Sequence, residues 1–463
     1  MELDINLGSN VLERRDSVKF YRTEYHIFPY RTGWILYDIW QGVFCEIDEL
    51  TKAILDDDDG KSPEEIAATL ATQFQRSEVL ESCFELQKAG FFSTEPRELR
   101  PFVPPSRLEI VHLGLDLSGS AREVPFQAID LLMLESGLYR QCYITLQGAE
   151  LLRKPEFARR IVDYGLKQAL HFEKDVFFEV IDSTGKFDRT TFDGLDRSRV
   201  RIICPLDDSP ECDLSSTVEI GSDNSCERQP SLDHETFGTA IRCTVDRSNL
   251  DLTDRIRRAV ERHPDARTVV FNFQALPPQV PDALTSADLP KALVALEELV
   301  EYVKRNLSKS DAIWIGEFED CVMQVFNRWN SLYHCGAGTR FVFVTPEGEI
   351  YVCPGLVGHD AFCLGSVQEG INRKRQRLWI RSTHAEQFDE CKKCWARYLC
   401  GGGCRLNAFR STGDVRTPDP VICDVIRRTY ELALVYCVDL HETALERFNA
   451  RYAQGGSNEH PVF

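Results

Sequence analysis

The sequence predicts an α/β protein in three successive units. Between residues 101 and 330, short apolar runs alternate with amphipathic stretches, the pattern of a parallel sheet with crossover helices, open or closed into a barrel. Residues 1–100 instead place aromatic and β-branched runs ahead of three helical stretches, an α+β module of winged-helix-like order. Residues 331–440 gather cysteines at metal-ligand spacing. A chain of 463 residues is long for one core, which fits two or three domains.

In the first unit, Val18–Tyr25 and Gly33–Ile47 read as short strands, with a turn near Arg31-Thr-Gly33. Helical stretches follow at Glu49–Leu55, from Ser62 onward, and at Ser77–Lys88. Ser62-Pro-Glu-Glu65 is a capping box, with Ser62 as N-cap, Pro63 at the first helical position and Glu65 three residues after the cap. Ile66, Leu70 and Phe74 then recur on one face, as do Val79, Leu80, Cys83 and Leu86 on the next helix. Gly90 ends that helix and Phe91-Phe92 closes the unit. Pro101–Arg107, with three prolines, reads as a linker.

In the middle unit, strands are expected at Leu108–Leu117, Cys142–Leu146, Val176–Ile181, Val200–Cys204, Thr239–Val245 and Arg267–Phe273. Helices are expected at Phe126–Ser136, Pro155–Ala169, Leu252–Arg262 and Leu289–Asn306. Asp207–Glu235 is polar and reads as a surface loop. In the third unit, Gly338–Ile350 reads as a hairpin that turns at Pro346-Glu-Gly348. Val425–Arg447 reads as a closing helix running into a polar C-terminal tail, 441–463.

The third unit is organised on Cys391-Lys-Lys-Cys394-Trp-Ala-Arg-Tyr-Leu-Cys400-Gly-Gly-Gly-Cys404, a C-x2-C-x5-C-x3-C run. Thiolate is the soft ligand that zinc and iron–sulfur clusters select. Three glycines let the backbone fold tightly and turn its N–H groups toward sulfur. Cys335, Gly348 and Cys353 precede this run as C-x12-G-x4-C, and Cys423 follows it. Spacing alone leaves both zinc and iron–sulfur clusters open.

The whole arrangement resembles the seven-cysteine signature of the SPASM domain, the auxiliary-cluster domain of peptide-modifying radical SAM enzymes, over about ninety residues. Cys335-Gly-Ala-Gly, Val344-Thr-Pro-Glu-Gly348, Tyr351-Val-Cys-Pro, Leu364-Gly-Ser-Val and Cys394-Trp-Ala-Arg resemble in particular the maturases of short cysteine-rich peptides. The resemblance implies a partial (β/α)6 barrel for the middle unit and two auxiliary [4Fe–4S] clusters. One would sit on Cys391, Cys394, Cys400 and Cys423, the other on Cys335, Cys353 and Cys404. The fourth ligand of the second stays open among Cys363, solvent and a peptide thiol. The N-terminal lines Thr32-Gly-Trp-Ile-Leu-Tyr-Asp and Val43-Phe-Cys-Glu-Ile-Asp resemble the element that recognises leader peptides of ribosomally made, modified peptides. Its usual mode is β-augmentation, in which the leader adds a strand to a sheet edge.

The chain departs from this family at one place. The family carries C-x3-C-x2-C after its first barrel strand, for the catalytic cluster that binds S-adenosylmethionine. Here Ile110–Leu117 runs into Ser118-Gly-Ser-Ala-Arg-Glu-Val-Pro125, with no cysteine between Cys83 and Cys142. Serines cannot replace three thiolates and still ligate that cluster. The family's Gly-Gly-Glu-Pro turn is also eroded, to Gln147-Gly-Ala-Glu150. The expectation is a degenerate, non-catalytic member with no S-adenosylmethionine cluster. It would bind a precursor peptide and pair with a catalytic radical SAM partner. Two alternatives are a redox enzyme that modifies a peptide through its auxiliary clusters, and a leader-peptide chaperone held together by metal.

Composition narrows the setting. A net charge of −19 argues against a nucleic-acid partner, which requires a basic face. No apolar run approaches the roughly eighteen residues of a membrane span, and the start Met-Glu-Leu-Asp lacks signal-peptide regions. Seventeen cysteines, an odd number with seven at ligand spacing, fit a reducing cytoplasm better than a disulfide scaffold. Cys45, Cys83, Cys142, Cys204, Cys321 and Cys437 lie in apolar runs and read as buried hydrophobes, while Cys212, Cys226 and Cys243 carry no clear signal. His112 reads as a core histidine, and His334 as a residue that tunes or ligates a cluster. Asp116 and Glu150 read as relics at the barrel top.

Overall fold

The computed structural model describes residues 19–57, 60–95, 109–119, 122–148, 154–182, 189–193, 199–205, 239–264, 266–306 and 313–443. The linker Pro101–Arg107, Glu150, Cys212, Cys226, the segment Asp207–Glu235 and the tail after 443 lie outside the described residues, as does the side chain of Cys204.

The N-terminal strands are β1 (Tyr21–Arg22), β2 (Tyr25–Tyr30), β3 (Gly33–Asp38) and β4 (Phe44–Ile47), followed by α1 (Glu49–Asp56), α2 (Pro63–Leu70), α3 (Arg76–Lys88) and β5 (Phe92–Ser93). β2, β3 and β4 form an antiparallel sheet in that order, and β1 pairs with β5. α2 starts where the capping box places it: Glu65 N–H donates to Ser62 Oγ at 3.3 Å, and Ser62 N–H to Glu65 Oε2 at 2.7 Å. The sheet is apolar on both faces, and strand alternation sorts them. Tyr25, Ile27, Trp34 and Leu36 pack with α1–α3. Phe28, Tyr30, Ile35 and Tyr37 enter a different core, shared with the C-terminal helix residues Tyr430, Leu434 and Tyr436.

The middle unit contains β6 (His112–Asp116), α4 (Val124–Glu135), β7 (Gln141–Gln147), α5 (Pro155–His171), β8 (Asp175–Ile181), β9 (Val200–Pro205), β10 (Thr239–Val245), α6 (Leu252–Arg262), β11 (Ala266–Phe273), α7 (Leu289–Asn306), β12 (Trp314–Ile315) and α8 (Phe318–Phe326). All neighbours from β6 to β12 pair in parallel. β6 begins four residues later than expected. Ile110 N–H donates to Glu135 O and Val111 N–H to Arg340 O, so these two N–H groups turn away from β7, although Val111 O still accepts from Tyr143 N–H at 2.9 Å.

The C-terminal unit contains β13 (Phe341–Val344), β14 (Glu349–Tyr351), β15 (Cys363–Ser366), β16 (Gly370–Ile371), α9 (Arg373–Ser382), α10 (Arg405–Thr412) and α11 (Pro420–Thr443). β13 pairs in parallel with β6 and antiparallel with β14. The hairpin therefore continues the barrel sheet, and one eleven-stranded sheet runs from β12 to β16. α11 starts at Pro420 rather than Val425. Asp419 Oδ1 accepts the Ile422 N–H at 2.9 Å, an N-cap followed by proline at the first helical position. Among the described residues no helix is long and apolar enough to cross a membrane.

Candidate metal centre

Four of the cysteines are presented by short turns and a helix start. Cys391 lies in the single turn Asp389–Lys392, and Cys394 N–H donates to Cys391 O at 2.9 Å. Cys400 ends the turn Arg397–Cys400, and Cys423 sits in the first turn of α11. The glycine run then reverses the chain: Gly401, Gly402 and Gly403 have φ of 67°, 93° and 77°. A Cβ on Gly401 would stand 2.2 Å from the Tyr333 carbonyl carbon, so glycine is needed there for space as well as for φ.

The thiols of this set act on one another. Burial pushes Cys391 up to about 12, and the nearby Cys400 and Cys394 add to the rise. Burial also raises Cys423, with Cys400, Cys391 and Cys394 contributing. Such thiols ionise at neutral pH only if a cation or metal compensates the charge.

Cys353 and Cys404 act on each other in a second place, and they and Cys335 all pack against the apolar core under the barrel. Burial pushes Cys353 up to about 12, and Cys404 adds to it. Asn407 N–H donates to Cys404 Sγ at 3.4 Å at the start of α10. Cys363 lies on β15 opposite Tyr351, and its thiol donates to Gly365 O at 3.5 Å. His334 accompanies both sets. Its Nδ1 is 3.0 Å from Cys400 O, and it lines a cavity of about 50 Å³ with Cys404 and Asn407.

The donor chemistry fits iron–sulfur clusters. Both sets are all sulfur, with tightly turned glycine backbone beside them. Among the described residues no three His, Cys, Asp or Glu side chains converge as one metal ion requires. A four-iron cluster spreads its thiolates wider than a single ion does. Arg405 is a second sign of fit. It is 6% exposed, and among the described residues its guanidinium donates only to carbonyls: Gly403 O at 2.9 and 2.7 Å, and Val415 O at 2.9 Å. A buried cation without a carboxylate partner needs an anion nearby, and the thiols supply the place for one.

The loop between Cys394 and Cys400 is gripped by the N-terminal sheet. His26 stacks on Trp395, Arg397 pairs with Glu24, and Trp40 packs on Tyr398 with centroids 5.0 Å apart. Arg397 also donates to Cys394 O at 3.2 Å. The sequence singled out Cys394-Trp-Ala-Arg only as part of a motif and missed this docking, as it missed Arg405 and Asn407.

At the barrel top, the loops after β6 and β7 lie against each other. Leu117 N–H donates to Gln147 O at 2.7 Å, and Ser118 N–H to Asp116 Oδ1 at 2.8 Å. A Cβ on Gly148 would stand 2.8 Å from both Ser118 N and Oγ, and one on Gly119 would stand 2.3 Å from Pro346 Cβ in the β13–β14 turn. Lower in the barrel, His112 is buried and bonds Thr145 Oγ1 at 2.7 Å, as a core histidine should. Cys83, Cys142, Cys321 and Cys437 are buried, as is Cys243, whereas Cys45 is half-buried.

No protein-family model matches the chain. It is 29% identical over 92 residues to a PqqA peptide cyclase from Streptomyces rochei, covering 18% of this chain and 24% of that protein. It is 28% identical over 134 residues to a mycofactocin maturase from Mycobacterium tuberculosis, covering 28% of this chain and 32% of that one. The chain thus matches about a quarter to a third of the length of these curated relatives. Among solved structures, histidine-tagged anSMEcpe with bound AdoMet superposes with a TM-score of 0.55 at 15% identity, over 75% of this chain and 99% of that one. The mixed α/β fold, with its large parallel sheet and C-terminal extension, is the one found in radical SAM/SPASM-type maturases.

Proposed function

We propose that this chain is a non-catalytic SPASM protein in the maturation of a ribosomally made peptide. It binds the precursor through the N-terminal sheet and pairs with a catalytic radical SAM enzyme. Cys391, Cys394, Cys400 and Cys423 hold one [4Fe–4S] cluster, and Cys335, Cys353 and Cys404 hold the other. The observation that carries this reading is an asymmetry between two sites. Seven cysteines keep ligand spacing in the sequence, with Cys391, Cys394, Cys400 and Cys423 acting on one another and Cys404 acting on Cys353, while the segment after β6, which would need three thiolates, contains none.

When bound, such clusters supply one-electron transfer or, at an open iron, a place for a thiolate. The chain's own residues do the rest. Gly401–Gly403 wrap the loop, Asn407 N–H points at Cys404 sulfur, and Arg405 brings positive charge next to Cys404 and over Phe388, which packs against Cys391. β2 and β4 are the two edges of the N-terminal sheet, where an added strand would pair. A related fold, native anSMEcpe with bound AdoMet and Kp18Cys peptide, supports a peptide ligand for this architecture. The curated relatives, a peptide cyclase and a maturase by name, support the same substrate class.

The test is twofold. Reduced protein incubated with S-adenosylmethionine should release no 5′-deoxyadenosine, and hydrogen exchange at β2 or β4 should slow on adding the precursor. Cleavage of S-adenosylmethionine by the isolated chain would sink the non-catalytic reading. Unchanged exchange in both strands would sink the peptide-binding mode.

A further inference from the structure

We infer that Arg405 is the shared counter-charge of the two clusters and sets the reduction potential of both. The inference rests on the two-cluster reading above. The side chain is placed for this on both sides. It follows Cys404 directly, and its guanidinium lies over the Phe388 ring, 4.4 Å from the centroid, where Phe388 packs against Cys391. Gly402 and Gly403 leave it room: a Cβ on Gly402 would stand 3.3 Å from Arg405 Nη2.

Its charge cannot be shed, because a guanidinium stays protonated in proteins. Among the described residues it makes no salt bridge, and its hydrogen bonds end on Gly403 O and Val415 O. Burial works against the charge, and the thiols of Cys391, Cys404, Cys400 and Cys335, drawn from both sets, work for it. Peptide carbonyls orient the guanidinium but carry no net charge to offset it. A thiolate-bound cluster is a net anion and becomes more negative on reduction. A fixed cation between two such clusters therefore favours the reduced form of each.

The experiment uses the full chain, purified anaerobically and loaded with iron and sulfide. Both clusters are followed by redox titration with electron paramagnetic resonance. Arg405→Met removes the charge and keeps much of the volume, whereas Arg405→Lys keeps the charge. The expected result is a fall of both midpoint potentials in Arg405→Met. A shift of about tenfold in the reduced-to-oxidised ratio at fixed potential corresponds to about 59 mV for one electron. Arg405→Lys should stay near wild type. Unchanged potentials in an iron-replete Arg405→Met protein, or a shift in one cluster alone, would overturn the inference. Where methionine blocks cluster loading, Arg405→Gln is read by the same criterion. Wild-type protein that takes up no iron would instead refute the two-cluster reading, before any variant is made.

Discussion

The imidazole of His26 lies flat on the indole of Trp395, with centroids 4.0 Å apart and planes 3° apart, while its Nε2 is 3.0 Å from Glu431 Oε1. Trp395 directly follows Cys394, so a strand of the N-terminal sheet rests on the loop that carries a cysteine set. The module is thereby fastened to the rest of the chain by a specific aromatic contact as well as by apolar burial.

His26→Ala and Trp395→Ala should consequently be non-additive. Aromatic pairs of this kind contribute about 0.5–1.5 kcal/mol beyond area burial, and the double-mutant cycle in denaturant unfolding should return a coupling of that order. Additive losses would show that the stack contributes little.

Acid should loosen the same junction. Burial raises the Glu431 carboxyl, but His26 and Arg428 outweigh it and hold the pKa below the usual range. At Asp439 burial again raises, and Lys304 and Tyr30 outweigh it. A depressed folded pKa means stability that is fully present above the unfolded values, about 4.3 for Glu and 3.9 for Asp, and is lost as pH falls through the lower folded values. Thermal unfolding across pH 2–7 should show this acid slope, and Glu431→Gln or Asp439→Asn should flatten it.

Much of this was legible in the sequence, and for identifiable reasons. The helix over Pro63–Leu70 follows from the Ser62/Glu65 capping box, and the mutual influence of Cys391, Cys394 and Cys400 follows from their C-x2-C-x5-C spacing, because both signals are local. The parallel pairing of β13 with β6 was not legible. Residues more than two hundred positions apart meet there, and the local pattern of neither strand names its partner. Arg405 reads as an ordinary charged residue after a cysteine. Its burial comes from Phe388 and from the glycine turn, which only the fold brings together. The start of α11 could have been found, since Asp419-Pro420 is a helix-start signal.

Gly401→Ala tests the cysteine loop. The residue has φ of 67°, and its Cβ would press on the Tyr333 backbone. Left-handed strain alone costs about 1–3 kcal/mol. The variant should lose iron from the Cys391 set before the Cys335 set, as read by iron content and spectra.

Cys400→Ala tests the partition of ligands. It should remove one cluster and leave the other, taking iron from about eight to about four per chain. Equal loss of both would mean that the partition, or the independence of the two sites, is wrong.

The most direct test of the central claim is the iron, sulfide and zinc content of anaerobically purified protein, with its absorbance spectrum. The account predicts about eight irons and eight sulfides per chain, a broad brown absorption and no zinc. About twelve irons would mean that a catalytic cluster is held despite the missing thiolates, and zinc without iron would leave a structural metal domain. Either result would contradict a SPASM protein that keeps two auxiliary clusters and has lost the catalytic one.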